Sequence, residues 1–242
     1  MIEQVRILRP CTHRGCLEWH SIGLTILALI SCAASAQAQP PANGKLTLKG
    51  VPSALQVEFT PKDFRIIDGD ALRMTSAGGT DIFVSPHDSY ARDNGPRALF
   101  KADPEFIFSA KVKCDFKTKY DNASLVVYES PKHWIKLAYQ NNYYNKPSLV
   151  TIVTNQHSDD AQGFYLEGDF VYLKIHGHGQ SFWLYYSLDG KSWVPIRAFR
   201  LYHDGNLRAG FLVASPAGPG CTGEFSDIKY TPTSPKDLWQ GQ

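Results

Sequence analysis

The feature that most constrains the fold is a two-residue alternation of apolar and polar side chains in many short runs. The run 106–114 is the clearest, since Phe106 and Val112 fall on one face of an extended chain and Lys111 and Lys113 on the other. Successive strand side chains point to opposite faces of a sheet. The run therefore predicts a strand with one buried and one solvated face. Similar runs cover residues 123–129, 133–140, 148–155, 170–176, 181–188, 207–214 and 224–230.

Turn residues separate these runs, and no segment between them has helical periodicity of useful length. Asp189-Gly190 stands between two strand-like flanks, which is a strong signal for a hairpin. Many strands joined by turns, without intervening helices, favour an all-β antiparallel sandwich or jelly roll.

The N-terminal region has the three parts of a secretory signal. Arginines precede an uncharged apolar stretch at residues 22–30, which is far shorter than the about 20 residues that span a bilayer. Small-x-small cleavage sites follow, ending at Ala36 and Ala38. Residues 1–38 are therefore predicted to be a signal peptide that directs the protein to the periplasm or the extracellular space.

An alternative for the leader is lipidation. Leu29-Ile30-Ser31-Cys32 is similar to a bacterial lipobox, in which the cysteine is lipidated and becomes the new N-terminus. The predicted organisation after the leader is a linker at 39–48, a domain at 49–231 and a flexible tail at 232–242, where Pro232 and Pro235 interrupt regular structure.

Only two cysteines, Cys114 and Cys221, remain once the leader is removed. In an oxidising compartment such a pair can form a disulfide. Two buried thiols are the equally weighted alternative, because sequence does not show whether their Cα atoms lie within bridging distance.

Charge and motifs exclude several classes of function. The formal net charge is only +2 and no basic stripe is present, so no nucleic-acid partner is expected. No segment after the leader is long and apolar enough to be a transmembrane span. No phosphate-binding loop or nucleophile elbow occurs, and no cofactor is predicted. His176 and His178 lack an obvious third ligand, so no metal site is predicted either.

An ordered series of motifs identifies a family resemblance. The chain resembles the regulation of enolase protein family (domain of unknown function 1349) from about residue 50 to about residue 230. Its motifs are, in order, Thr80-Asp81-Ile82-Phe83-Val84-Ser85-Pro86, Tyr120-Asp121-Asn122, Trp134-Ile135-Lys136, and Tyr185-Tyr186-Ser187-Leu188-Asp189-Gly190 with Trp193 and Arg197.

The resemblance implies a concanavalin A-like lectin/glucanase sandwich of two antiparallel sheets, and it implies no settled activity. The sequence departs from the family pattern at two positions. Asp160 stands where the family usually has Trp, and Gln140 stands where it usually has Glu. The second change removes a carboxylate.

Strand 134–140 suggests a binding face. Alternation places Trp134, Lys136 and Gln140 on one side. Because an amide and a cation are costly to bury unpaired, we expect this side to line a concave, partly wet surface with Trp183. Aromatic rings beside amides and charges suit sugar binding. The candidate ligand-binding residues are Asp81, Trp134, Lys136, Gln140, Asp159, Trp183, Tyr185 and Arg197.

Two other interpretations stay open. Asp81, Asp159 and Arg197 could form structural ion pairs, and aromatics are frequent in strands anyway. Glycoside hydrolysis needs two facing carboxylates, and no paired-acid run occurs, so no catalytic residue is predicted. The leading hypothesis is an exported non-catalytic carbohydrate-binding or recognition domain. The alternatives are a glycoside hydrolase-like enzyme and a structural or protein-interaction module.

Overall fold

The computed structural model describes residues 46–242, which form an all-β fold. Its sixteen strands are β1 (Gln56–Glu58), β2 (Asp63–Ile67), β3 (Ala71–Thr75), β4 (Ile82–Val84), β5 (Ala91–Asp93), β6 (Arg97–Lys101), β7 (Glu105–Cys114), β8 (Asn122–Ser130), β9 (His133–Asn141), β10 (Pro147–Asn155), β11 (His157–Tyr165), β12 (Phe170–His178), β13 (Ser181–Ser187), β14 (Val194–Arg200), β15 (Arg208–Ala214) and β16 (Thr222–Thr231).

The strands build two seven-stranded antiparallel sheets. The first sheet has the order β1-β6-β15-β8-β9-β10-β11, and the second has the order β14-β13-β12-β7-β16-β3-β2. Strands β4 and β5 form a separate hairpin. The predicted sandwich of two antiparallel sheets is confirmed.

Each of the eight alternating runs corresponds to a strand, but the two outermost long strands carry no comparable signal. Strand β11 is polar and almost entirely exposed. Strand β14 contains Pro195 and has no fully buried residue. Both lie at a sheet edge, where neither face needs a continuous apolar row.

The main core lies between the sheets. In β9 its members are Ile135, Leu137 and Tyr139, as alternation predicts. Aromatic rings join the sheets at the centre, where Phe108 of the second sheet contacts Phe211 of the first with ring centroids 5.3 Å apart. Burial of these large rings is the main source of stability.

A second apolar cluster covers the outer face of the first sheet. Ile82 and Phe83 of the β4–β5 hairpin pack there on Val126, Trp134 and Leu212. Trp134 is buried, and its Nε1 donates to the Pro131 carbonyl at 3.2 Å. The expectation that this ring forms part of a wet surface was therefore wrong, because a hairpin closes over it.

The C-terminal segment differs from the prediction of a loose tail. Residues 234–242 lie on the outer face of the second sheet, where the Tyr185 hydroxyl donates to the Leu238 carbonyl at 2.6 Å. Prolines end the preceding strand, but the main-chain oxygens beyond them still accept hydrogen bonds from the sheet.

The two cysteines of the described region are neighbours. Cys114 ends β7, and Cys221 directly precedes β16, which pairs with β7. Their sulfur atoms are unbonded and lie within 4.8 Å of each other. Burial is the main cause that raises the pKa of the Cys114 thiol well above its ordinary value.

The predicted signal peptide, the lipidation site Cys32 and most of the linker lie outside the described residues. Between residues 46 and 242 no helix is long and apolar enough to cross a membrane.

Candidate functional site

A cavity of about 210 Å³ opens beside the β4–β5 hairpin, on the outer face of the first sheet. We call it the hairpin cavity. Ser158 of β11 holds the hairpin in place, since its hydroxyl accepts a hydrogen bond from the Val84 amide at 3.0 Å. The cavity is lined by Asp81, Phe83, Tyr90, Tyr120, Lys136, Gln140, Ile152, Asp160 and Pro216.

An ion pair forms part of the cavity wall. Lys136 Nζ lies 3.0 Å from Asp81 Oδ1 and donates to the Ile82 carbonyl at 3.2 Å. The Lys136 side chain is only 2% exposed and that of Asp81 is 13% exposed. The same Asp81 oxygen accepts the Ile82 amide at 2.8 Å. These bonds fix both charges in one geometry.

Gln140 presents a different kind of polar group. The residue is only 6% exposed, yet its amide makes no hydrogen bond to any residue between 46 and 242. The adjacent Asn141, by contrast, donates through Nδ2 to the Thr118 carbonyl at 2.9 Å. Gln140 therefore offers an amide that is free to bond a molecule in the cavity.

Asp160 faces Lys136 across two strands. Ile152 of β10 pairs with Lys136 on one side and with Asp160 of β11 on the other, so the three side chains share the outer face. Asp160 is exposed as a residue, but partial removal of its carboxyl group from solvent at the cavity raises its pKa. The Lys136 charge and a hydrogen bond from Gln162 oppose that rise, while the Asp81 charge adds to it.

Aromatic rings complete the cavity. Phe83 and Tyr90 stack with centroids 5.7 Å apart and an interplanar angle of 26°, and Tyr120 lines another part of the wall. Within the described region neither tyrosine hydroxyl has a hydrogen-bond partner. The rings supply apolar surface and the hydroxyls supply free donors and acceptors.

Three of the eight predicted site residues line the cavity: Asp81, Lys136 and Gln140. Trp134 lies buried behind them.

Asp159 and Arg197 lie away from the cavity. Asp159 is next to Asp160 in β11, and adjacent residues of a strand face opposite sides of the sheet. Asp159 pairs with Arg197 of β14 at 3.0 Å, and Arg197 also donates to Thr151 Oγ1 at 3.2 Å. This contact links the edges of the two sheets and fits the structural alternative.

Trp183 and Tyr185 do not belong to the same surface as Lys136. They lie in β13 of the second sheet, where Trp183 stacks on His176 and Tyr185 bonds the C-terminal segment. The expectation of one face shared by Trp134, Lys136 and Trp183 was wrong. Alternation shows which residues share a face of their own strand, but it does not show which sheet that strand joins.

Sequence reasoning missed six residues of the cavity lining, among them the three aromatic residues and one carboxylate: Phe83, Tyr90, Tyr120, Ile152, Asp160 and Pro216. A signal existed for Asp160, because the family resemblance marks it as a departure. The three aromatic residues lie outside the long strands, since Phe83 and Tyr90 belong to the β4–β5 hairpin and Tyr120 to the connection between β7 and β8.

A group of donor atoms that could hold a metal occurs in the described region at Cys114, Asp115 and Cys221. Asp115 is already engaged, because its carboxylate accepts the Thr222 amide and pairs with Lys117 at 3.3 Å. In the hairpin cavity the Lys136 ammonium occupies the place beside Asp81 that a cation would need. We assign no metal to either place.

The fold and the cavity define a concanavalin A-like β-sandwich protein. Residues 58–233 match the family described as protein of unknown function (DUF1349). The chain belongs to this family, and the resemblance seen in the sequence is confirmed. No curated protein shows a significant match to the chain.

Solved structures share the fold at low sequence identity. A functionally unknown protein from Saccharomyces cerevisiae is 18% identical with a TM-score of 0.68, and the match covers 75% of this chain and 97% of that one. A GH43 protein from Bacillus licheniformis is 16% identical with a TM-score of 0.57, covering 72% of this chain and 36% of that one.

A xylan beta-1,4-xylosidase from Bacillus halodurans is 14% identical with a TM-score of 0.54, covering 79% of this chain and 41% of that one. The chain thus spans well under half the length of these two larger proteins. At such identities the likeness establishes the fold alone.

Proposed function

We propose that this protein is an exported, non-catalytic carbohydrate-binding domain that holds one sugar unit in the hairpin cavity. The observation that carries the proposal is the Gln140 amide, which is nine-tenths buried, lines the cavity and has no partner in the described region. The amide atoms are not among the solvent-excluded unpartnered atoms of the described region, so they open onto the cavity, where a bound ligand can replace water as their hydrogen-bond partner.

The cavity has the composition that sugar recognition requires. The Phe83 and Tyr90 rings offer apolar surface to the C–H face of a pyranose. Gln140, Asp160 and the tyrosine hydroxyls offer donors and acceptors for its hydroxyl groups. The volume of about 210 Å³ lies below the 300–1,000 Å³ typical of drug-sized ligands, which favours one sugar unit over a long buried chain.

The comparisons suggest which sugars to test first. One similar solved structure is a xylan beta-1,4-xylosidase, so xylo-oligosaccharides head the panel. The fold likeness supports this choice as an analogy and carries no evidence about this cavity.

The test is a glycan array covering plant, microbial and host sugars. We expect a defined subset to bind, and we expect Tyr90→Ala to abolish the signal because this ring is 53% exposed at the cavity. Tyr202→Ala is the matched control, since Tyr202 is equally open to solvent but lies outside the cavity. A blank array, or equal binding by the Tyr90 variant, contradicts the proposal.

Export is part of the proposal and rests on the leader sequence. Mass spectrometry of the mature protein distinguishes its two forms. A free N-terminus at Gln37 or Gln39 supports a soluble exported protein, whereas a diacylated Cys32 indicates a lipoprotein. An intact leader on protein from the producing cell contradicts export.

A second candidate function is glycoside hydrolysis, which the raised pKa of Asp160 favours. A raised pKa is the direction that a general acid of glycoside hydrolysis needs. The only other carboxylate of the cavity, Asp81, is tied to Lys136 and to its own backbone, so it is a poor nucleophile. Release of reducing ends from a polysaccharide, lost in Asp160→Asn, would favour this function over binding alone.

A further inference from the structure

The outer face of the second sheet carries a groove that the chain itself occupies. We call the surface formed by Lys174, His176, Trp183, Tyr185 and Trp193 the tail groove. Residues 234–242 lie along it and contribute three oxygen atoms. These contacts are His176 Nε2 with Ser234 Oγ at 3.1 Å, the Tyr185 hydroxyl with the Leu238 carbonyl at 2.6 Å, and Lys174 Nζ with the Gly241 carbonyl at 2.6 Å.

Lys174 is a buried cation without a counterion. It is 7% exposed, and its ammonium lies 3.7 Å from the centroid of the Trp193 ring. Within residues 46–242 it has no carboxylate partner, and the Gly241 carbonyl is its single hydrogen-bond acceptor. Fully buried lysines are almost always paired with an acid. Burial, aided by the Lys229 charge, lowers the pKa of Lys174 to about 8.

His176 is a second polar side chain of the tail groove whose hydrogen bonding is incomplete. Its ring stacks on Trp183 with centroids 5.0 Å apart, and its buried Nδ1 has no partner in the described region. Burial lowers the pKa of His176 to about 4, so the ring is neutral at physiological pH. The fold thus keeps two imperfectly satisfied polar side chains under the tail.

An open cavity of about 300 Å³ continues the tail groove beyond Trp193. Two carboxylates line it, but both are engaged. Asp189 accepts the Lys191 and Ser192 amides at 2.8 Å each. Asp227 accepts the Tyr172 hydroxyl at 2.8 Å. The Lys229 ammonium, also at this cavity, is unpaired within the described residues.

We propose that the tail groove is a second binding site, specific for a sugar that bears a carboxylate, and that residues 234–242 occupy it when no ligand is bound. A sugar ring would lie against the indole rings, and its carboxylate would replace the Gly241 carbonyl on Lys174. The Gly241 carbonyl leaves the buried ammonium without an opposite charge, whereas a carboxylate would add an ion pair to the hydrogen bond, so an anionic ligand can displace the tail and a neutral sugar gains less. The site is independent of the hairpin cavity, which lies on the other sheet.

The test uses trigalacturonic acid as the probe in calorimetric titrations of the full chain. We expect Lys174→Met to weaken binding at least about tenfold, because one charge-assisted bond is lost. Methionine retains the apolar stem, and replacement of an unpaired buried charge by an apolar residue is generally tolerated. Tyr202→Ala should bind the probe as the wild type does, since Tyr202 is exposed and lines neither the hairpin cavity nor the cavity beside Trp193.

A second variant loosens the tail without altering the sheet. Gly241 has a φ of +63°, and a Cβ there would lie 3.1 Å from two atoms of the Tyr185 ring. Gly241→Ala should therefore raise the fraction of protein with an open groove and tighten probe binding by up to about tenfold. Gly205→Ala is the control, since it has a φ of +97° but no atom within 4 Å of the added Cβ, and it should leave binding unchanged.

Hydrogen exchange of the tail amides provides a measurement that needs no variant. We expect exchange in residues 236–242 to speed up when trigalacturonic acid is added. Xylotriose, which has no carboxylate, and citrate, which has no sugar ring, should have little effect. The proposal is overturned if the probe does not bind, if either control compound acts equally well, if Lys174→Met binds as the wild type does, or if tail exchange is unchanged at saturation.

Discussion

Lys136 and Asp81 form a 3.0 Å ion pair in which the ammonium is almost completely removed from solvent. The pair joins the interior strand β9 to the start of the β4–β5 hairpin. It positions the hairpin over the sheet and so defines one wall of the hairpin cavity.

Breaking this pair should destabilise the protein. We expect Lys136→Met to lower the free energy of unfolding by about 3 kcal/mol, because the partner charge is left partly buried. In the double variant Lys136→Met/Asp81→Asn, the free energy of unfolding should fall by less than the sum of the decreases in the two single variants. We expect the difference to be at least about 1 kcal/mol. Urea unfolding of the four proteins measures this coupling, and strictly additive losses would show that the contact contributes nothing.

Gln140 should show the opposite behaviour. Because its amide has no partner within the described residues, Gln140→Met should leave stability unchanged or raise it by up to about 1 kcal/mol. Asn141→Met is the matched control, since Asn141 bonds the Thr118 carbonyl. It should lose about 1–2 kcal/mol. Thermal unfolding compares the two, and an equal loss in both variants would mean that Gln140 is a structural residue.

Asp160 predicts a pH-dependent stability. Its folded-state pKa is raised above 3.8, so the ionised carboxylate opposes folding above that raised pKa, and the effect vanishes below the unfolded value. Asp160→Asn should stabilise the protein at neutral pH by less than about 1 kcal/mol, since the residue keeps solvent contact. The gain should fade as the pH falls towards 3.8. Chemical unfolding from pH 7 down to pH 3.5 measures the difference, and a gain that grows on acidification would contradict the assignment.

The two neighbouring thiols give a redox prediction. With sulfur atoms within 4.8 Å, Cys114 and Cys221 should form a disulfide in oxidised glutathione. Each disulfide formed releases two molecules of reduced glutathione. In protein that starts at residue 39, where Cys114 and Cys221 are the two cysteines, we expect thiol titration of the unfolded, oxidised protein to find none free, and we expect the closed loop to stabilise the protein by about 2–5 kcal/mol. Cys114→Ser is the control and cannot gain stability. Two titratable thiols after oxidation would indicate buried, unpaired cysteines.

The alternating runs were sufficient to predict the class of fold. They predicted every long strand with a buried face, because burial of one face imposes a period of two. They did not predict β11 and β14, because an edge strand in contact with water does not need a buried face and so shows no alternation. Alternation also did not place Phe83, Tyr90 and Tyr120, because they lie in a short hairpin and in a connection whose positions depend on tertiary packing.

The site was predictable only in part. Lys136 and Gln140 drew attention to strand β9 because polar groups at buried positions need a reason, and both line the hairpin cavity. Asp159 instead of Asp160 was an error of one residue, which reverses the direction of a strand side chain. The assignment of Trp183 failed because strand order within the sheets cannot be read from alternation.

Isothermal titration of Gln140→Met with the glycan that binds the wild type most strongly tests the central proposal most directly. A sugar in the hairpin cavity that bonds the free amide predicts a loss of affinity of about tenfold, with a melting temperature equal to or above that of the wild type. Unchanged affinity in the folded variant, or no glycan bound by the wild type at all, would contradict a carbohydrate site in this cavity.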